Sequence, residues 1–231
     1  MINVKKSYPA PSSLEAEKAK KSGKYNLEDV IEQLGKDFKD KCYLCETKAT
    51  AFEVEHLVSH KGDINLKFDW DNLFLSCRHC NNIKSTSFDD ILNCTKEDVE
   101  IYIKYKMDLF PMSNVEITAL CDDPKVVMTV ELLNKCFNGE NTPTKKLDSK
   151  NIRKKILLEL NSFKGDIDSY FEALEHDEED EIPNIKKSIK RHLSNNSEYA
   201  SFKRCIVKHN PELNKLFGQY IPVVEREEVH A

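Results

Sequence analysis

Residues 42–85 read CYLCETKATAFEVEHLVSHKGDINLKFDWDNLFLSCRHCNNIKS, and this stretch decides the fold. The stretch contains two CxxC pairs, Cys42 with Cys45 and Cys77 with Cys80. The two pairs are separated by 31 residues. Two such pairs are typical of a closed structural zinc site with four thiolate ligands. A redox CxxC motif is the alternative, but it would account for one pair and not for both.

The residues between and after the two pairs predict a small ββα unit. Residues 51–57 alternate with the period of a strand, and residues 68–77 form a second extended segment. The run 81–92 predicts a short helix. Because this unit spans only about 50 residues, we expect it to need its zinc ion in place of a large core.

The flanking sequence predicts an irregular arm at 1–13 and a helix at 27–38, whose apolar residues recur at helical spacing. Beyond the ββα unit, residues 97–107 are predicted helical and 113–130 strand-like around an Asp-Asp-Pro turn. Helices are predicted at 149–163, 166–174, 185–193 and 197–209, with an acidic linker at 176–181 and a tail from residue 212. We therefore divide the chain into segments 1–40, 41–95 and 96–231.

The composition favours a globular protein that does not enter a membrane. The chain has 231 residues, of which 39% are hydrophobic and 32% charged. Its apolar runs fall short of the roughly 18 residues that a membrane span needs, and its first residues are too charged for a secretory signal. We expect a cytoplasmic location, and we expect the isolated Cys94, Cys121, Cys136 and Cys205 to be small buried apolar residues.

The charge distribution is unusual for a protein that binds nucleic acid alone. The net charge is −5 overall. Residues 51–100 contain five basic and ten acidic side chains, so the excess lies around the ββα unit. Such a surface binds phosphate poorly unless a cation binds among the carboxylates or a basic partner protein provides the positive electrostatic potential. The charge predicts a metal and a partner.

The motifs CYLC, VEHLVSH and DWDNLFLSCRHCNNIKS resemble the HNH nuclease family, also called ββα-metal or His-Me finger nucleases. The resemblance covers residues 42–85. It implies an α+β fold in which a zinc-stapled ββα-metal module is flanked by a short N-terminal helical segment and a mostly helical C-terminal region. It also implies a metal-dependent endonuclease that hydrolyses phosphodiester bonds, with DNA as the expected substrate, and leaves 5′-phosphate and 3′-hydroxyl ends.

The same resemblance assigns a role to each motif residue. His56 would be the general base, Asn72 would orient it, and Glu55 with Asn81 would hold the catalytic divalent ion. A carboxylate and an amide oxygen form a hard ligand set, so Mg²⁺ or Mn²⁺ is expected there rather than zinc. Lys84, one helical turn after Asn81, would touch phosphate.

Two positions depart from the commonest form of the family, since Asn81 stands where histidine is frequent and Ser59 where proline is frequent. Each motif residue also has an ordinary structural explanation. His56 is compatible with a half-buried strand histidine, Glu55 with a solvated strand residue, and the two asparagines with turn or cap formers. His79, inside the second CxxC pair, is expected to be exposed rather than a ligand.

Motifs outside residues 42–85 resemble a narrower family. The sequences PAPSSL, TVELLN and NIRKKILLEL are similar to PtuB, the HNH subunit of Septu-type anti-phage systems and related retron effectors. That resemblance implies a PtuA-like ABC-type ATPase partner, and residues 96–231 would dock it. Two alternatives remain open: a stand-alone restriction-type or modification-dependent endonuclease, and a catalytically dead zinc module used for assembly.

Overall fold

The computed structural model describes residues 1–48, 51–139 and 142–223. Its central feature is a two-stranded antiparallel sheet, in which β1 (Phe52–His56) pairs with β2 (Leu73–Cys77). Helix α4 (Arg78–Lys84) follows β2 directly. The ββα unit predicted from the sequence is therefore present, and the strand predicted at 51–57 is β1.

The connection between the two strands is more ordered than the sequence indicates. Helix α3 (Ile64–Phe68) begins after Asp63, whose side chain accepts a hydrogen bond from the backbone N–H of Asn65. A 3₁₀ turn (Trp70–Asn72) then leads into β2, so the extended segment predicted from residue 68 begins only at Leu73. The helix predicted at 81–92 is α4, which starts earlier and ends before Ser85, a residue with a φ of 51°.

The N-terminal segment contains two helices, α1 (Ser12–Lys18) and α2 (Glu28–Phe38). Helix α2 agrees with the helix predicted at 27–38, and it packs on β2 with the Phe38 ring 5.6 Å from the Phe74 ring. Helix α1 lies partly in the arm predicted to be irregular. The first residues of that arm are buried, and the backbone N–H of Val4 donates to the carbonyl of Cys94.

Residues 97–107 are not one helix, so that prediction was wrong. Only a single turn is helical, α5 (Val99–Tyr102), and β3 (Ile103–Met107) then pairs antiparallel with β4 (Val115–Ala119). Side chains along β3 alternate between buried and exposed, which is the period of a strand with one face on the core. The strand-like pattern predicted over 113–130 holds only to Ala119.

The rest of the chain is helical. Helix α6 (Pro124–Asn138) replaces the second half of the predicted strand region, because Asp123 caps it and Pro124 suits a first helical position. Helix α7 (Pro143–Glu175) is continuous where two helices were predicted. It is followed by α8 (Ile182–Leu193), α9 (Ala200–His209) and α10 (Pro211–Phe217), so the predicted tail is also partly helical.

One apolar core joins all three segments into which the sequence was divided. It contains Leu34 from the first, Phe74 from the second and Leu132 and Tyr199 from the third. A second cluster lies between the end of α7 and helices α8 to α10, around Tyr170. The boundaries at residues 40 and 95 stay a prediction, but side chains pack across both. No helix in the described ranges is long and apolar enough to cross a membrane.

A buried ion pair ties α9 to α5, the helical turn that precedes β3. Arg204 on α9 lies 2.6 Å from Glu100 on α5, and their side chains are 1% and 6% exposed. Glu100→Ala would leave the guanidinium buried without its counter-charge, so we expect a loss of about 3 kcal/mol in the free energy of unfolding, measured in urea. Glu116→Ala, which removes an exposed carboxylate on β4, should change it by less than about 0.5 kcal/mol. Equal losses in both variants would contradict this.

Candidate active site and metal centre

The four paired cysteines come together at one point. The Sγ atoms of Cys42, Cys45, Cys77 and Cys80 all lie within 4.8 Å of one another, and all four residues are buried. The sulfurs of Cys45 and Cys77 are 3.8 Å apart. Ligands of a tetrahedral zinc ion at bond lengths of about 2.3 Å are separated by about 3.8 Å. The four thiols therefore fit a structural zinc ion, and the sequence prediction of their grouping is confirmed.

The cysteine cluster is attached to the C-terminal helices. The hydroxyl of Thr47 lies 3.3 Å from Cys45 Sγ and 2.9 Å from the hydroxyl of Tyr199. The backbone N–H of Ser201 donates to the carboxylate of Glu46. The first CxxC turn therefore packs against the start of α9, about 155 residues further along the chain.

His79 connects the second CxxC pair to α6 and α7. Its Nε2 lies 2.9 Å from the carbonyl oxygen of Cys136 and 3.2 Å from the hydroxyl of Ser149. Its side chain is 8% exposed, so the prediction of an exposed histidine was wrong. Of the isolated cysteines, three are buried as predicted, whereas Cys121 is exposed.

His56 is the last residue of β1, and its ring is held by a backbone carbonyl. Nε2 lies 3.0 Å from the carbonyl oxygen of Lys67. Because a carbonyl only accepts, Nε2 carries the hydrogen and Nδ1 carries the lone pair. The Tyr25 ring packs edge-on at 4.5 Å and the His60 ring lies at 4.8 Å. Burial lowers the pKa of His56, which favours the neutral imidazole, and Nδ1 is then the nitrogen able to take a proton.

Asn72 supports His56 indirectly rather than by the direct contact that the sequence predicted. Its amide N–H groups donate to the carbonyls of Val58 and Leu66, and its oxygen accepts from the N–H of Val58. None of its described hydrogen bonds goes to the imidazole. Asn72 instead closes the loop that carries Lys67, and the carbonyl of Lys67 orients the ring.

This loop closure gives a testable prediction for Asn72. Asn72→Ala removes three hydrogen bonds from a side chain in a residue that is only 5% exposed. We expect the free energy of unfolding in urea to fall by about 2 kcal/mol, because buried backbone groups lose their partners. Asn65→Ala, at an exposed position of the same connection, should leave it unchanged. A stable Asn72→Ala variant would overturn the role in loop closure.

Glu55 is a buried carboxylate with unsatisfied oxygens. Its Oε1 lies 2.8 Å from Lys84 Nζ, yet neither of its oxygens has a hydrogen-bond partner among the described residues. The contact is therefore an ion pair without hydrogen-bond alignment. Burial, offset in part by Lys84, raises the pKa of Glu55 to about 7. Such a carboxylate suits a bound divalent cation, which would favour its charged form.

Lys84 does not lie where a phosphate could reach it. Its side chain is 1% exposed, and its Nζ also donates to the carbonyl of His56 at 3.0 Å. The prediction that Lys84 touches phosphate was therefore wrong in this structure. The residue instead holds Glu55 and the end of β1 in place. The sequence correctly placed Lys84 on the same helix as Asn81. Residue spacing does not indicate whether a lysine side chain is buried, so the burial of Lys84 was not predicted.

Asn81 brings a carboxylate that the sequence analysis did not select. Its Nδ2 donates to Glu53 Oε2 at 2.6 Å, and no described hydrogen bond engages its amide oxygen. Glu53 and Glu55 lie two residues apart on β1, so they point to the same face. The alternating pattern of this strand already indicated that Glu53 lies on the same face as Glu55. Carboxylate and amide oxygens are hard donors, so Glu53, Glu55 and Asn81 are the residues here that could hold Mg²⁺ or Mn²⁺.

Comparison with known proteins agrees with this geometry. Residues 37–87 match the family model described as HNH endonuclease. No curated protein matches the chain, and no solved structure matches it. The matched residues contain the cysteine cluster, β1, β2 and α4. The family match therefore covers the cysteine cluster and every predicted catalytic residue, and it supports assignment of an HNH endonuclease domain to residues 37–87.

Proposed function

We propose that this chain is a metal-dependent endonuclease that hydrolyses phosphodiester bonds, with DNA as its substrate. The single observation that carries the proposal is the pair of groups at the end of β1. His56 offers a free Nδ1, and the adjacent Glu55 offers a buried carboxylate that lies 2.8 Å from Lys84 Nζ and accepts no described hydrogen bond. Neighbouring strand residues point to opposite faces, so base and ion would lie on opposite sides of one phosphate.

The chemistry follows from these residues. His56 Nδ1 takes a proton from water as the water oxygen attacks phosphorus, while the Lys67 carbonyl keeps the ring in the required tautomer. The bond from phosphorus to the 3′ oxygen breaks, and that oxygen takes up a proton from solvent. A Mg²⁺ or Mn²⁺ ion held by Glu55 and Asn81 would stabilise the charge that develops on it. The products are a 5′-phosphate and a 3′-hydroxyl.

We further propose that the chain acts as the nuclease subunit of an anti-phage complex with a PtuA-like ABC-type ATPase. The sequence contains no ATP-binding motif of its own, so dependence on nucleotide would come from the partner. Helix α7 exposes Leu147 and Leu158, which lie three turns apart on one face and are 58% and 68% exposed. These leucines offer apolar surface for such a partner.

The test is cleavage by the purified chain in Mg²⁺ or Mn²⁺, with plasmid, single-stranded DNA and RNA as substrates. The assay is run alone and with any ATPase encoded beside the chain. Metal-dependent products that ligate without phosphorylation would support the proposal. Cleavage of DNA without the ATPase would favour the stand-alone endonuclease. Absence of cleavage under all of these conditions would favour the zinc assembly module.

A further inference from the structure

A lysine-rich segment lies beside the candidate base and outside the family match. This segment, residues 18–24, reads KAKKSGK and is called the basic segment here. Lys20, Lys21 and Lys24 are exposed, and Lys18 is partly exposed. It connects α1 to α2, and sequence reasoning assigned it no function.

Two contacts hold the basic segment against the active site. The ring of Tyr25, the next residue, packs on the His56 ring at 4.5 Å. The Lys67 ammonium donates to the carbonyl of Gly23 at 2.7 Å, while the Lys67 carbonyl accepts from His56. Lys67 therefore fixes both the base and the basic segment.

The turn at Gly23 packs too closely for any larger residue. A Cβ at this position would lie 1.9 Å from the carbonyl oxygen of Glu17 and 3.0 Å from the ring of Phe68. The close contact with α3 keeps the basic segment at a defined distance from His56.

The charge of the basic segment is largely unopposed. Glu17 is the one acidic residue in the range 16–27, and it pairs with Lys20. Among the described residues, no carboxylate forms an ion pair with Lys18, Lys21 or Lys24. The neighbouring residues 51–100 carry a net charge of −5. The basic segment is thus a local positive surface at the edge of an acidic site.

We infer that Lys20, Lys21 and Lys24 bind the nucleic-acid backbone and guide the scissile phosphate to His56. Ammonium groups contact phosphates without reading the bases, so this surface contributes affinity rather than sequence specificity. The inference rests on the proposed nuclease function. It also assigns to the chain itself part of the positive charge that its composition led us to expect from a metal ion and a partner.

The experiment measures binding of a labelled DNA duplex by fluorescence anisotropy between 50 and 200 mM salt. It compares the full chain with a variant carrying Lys20→Gln, Lys21→Gln and Lys24→Gln. The matched control carries Lys187→Gln, Lys190→Gln and Lys215→Gln, three exposed lysines on α8 and α10. Thermal melting of both variants confirms that each is folded.

For the basic-segment variant we expect the slope of log K against log salt to become shallower by about 2 to 3, at about 0.9 for each lost phosphate contact. Lys20 should contribute the least of the three, because it already pairs with Glu17. KM for cleavage should rise while kcat stays near that of the unaltered chain. Equal slopes in the two variants would overturn the inference, as would an unaltered chain that does not bind DNA. Salt-dependent binding that needs the basic segment, without any cleavage either alone or with the ATPase, would support the inference and contradict the proposed nuclease function.

Discussion

The rate of cleavage at saturating DNA should fall by about 10² to 10⁴-fold when His56 is replaced by alanine, which is the contribution of a positioned general base. The reason is geometric. The carbonyl of Lys67 takes the Nε2 hydrogen, so Nδ1 is the one imidazole atom with a lone pair for the attacking water. The measurement is a single-turnover cleavage rate in Mg²⁺.

Two further variants separate loss of the base from loss of structure. His56→Asn keeps an amide N–H able to donate to the Lys67 carbonyl but has no basic nitrogen, so we expect it to be folded and as inactive as His56→Ala. His176→Ala, at an exposed histidine beyond the end of α7, should cleave at the normal rate. Cleavage by His56→Asn close to the normal rate would remove His56 from the mechanism.

The second large effect is expected from loss of the zinc ion. Structural zinc contributes about 10 to 16 kcal/mol of apparent binding free energy in small zinc domains. The net stability of a globular protein is only about 5 to 15 kcal/mol. Cys77→Ser, or removal of zinc with a chelator, should therefore unfold the ββα unit.

The protein contains a local reporter for this unfolding. Trp70 is its one tryptophan, and it is buried in the 3₁₀ turn between β1 and β2. Its fluorescence should shift to longer wavelength in Cys77→Ser together with loss of bound zinc. Cys121→Ser, at the exposed cysteine, is the matched control and should keep its zinc content and its melting temperature. Normal zinc content and Trp70 emission in Cys77→Ser would show that the four thiols do not form the site.

The sequence predicted those features that depend on side-chain type and short spacing. The two CxxC pairs predicted the cysteine cluster. The alternation over 51–57 predicted β1, with Glu55 and His56 at its end. Helix α2 followed from apolar residues at helical spacing. These features can be predicted locally, because a zinc ligand or a strand residue is recognised from its residue type and from the residues close to it in the sequence.

The features that the sequence did not predict depend on the backbone or on distant packing. The group that orients His56 is the carbonyl of Lys67, and every residue type has such a carbonyl, so composition carries no signal for it. Lys84 is buried because α4 packs on β1, although an isolated lysine is usually exposed. The second hairpin was missed because β3 follows a helical turn without a glycine or proline between them.

The packing of the first CxxC turn against the start of α9 has a consequence for synthesis of the protein. Ser201 is added 114 residues after the end of the family match at residue 87, since 201 minus 87 is 114. At about 5 to 20 residues per second, a ribosome needs roughly 6 to 23 seconds to add them. During that interval the nascent chain contains every predicted catalytic residue but not the helix that supports the zinc turn. We expect a messenger truncated within this interval to yield a poorly folded product.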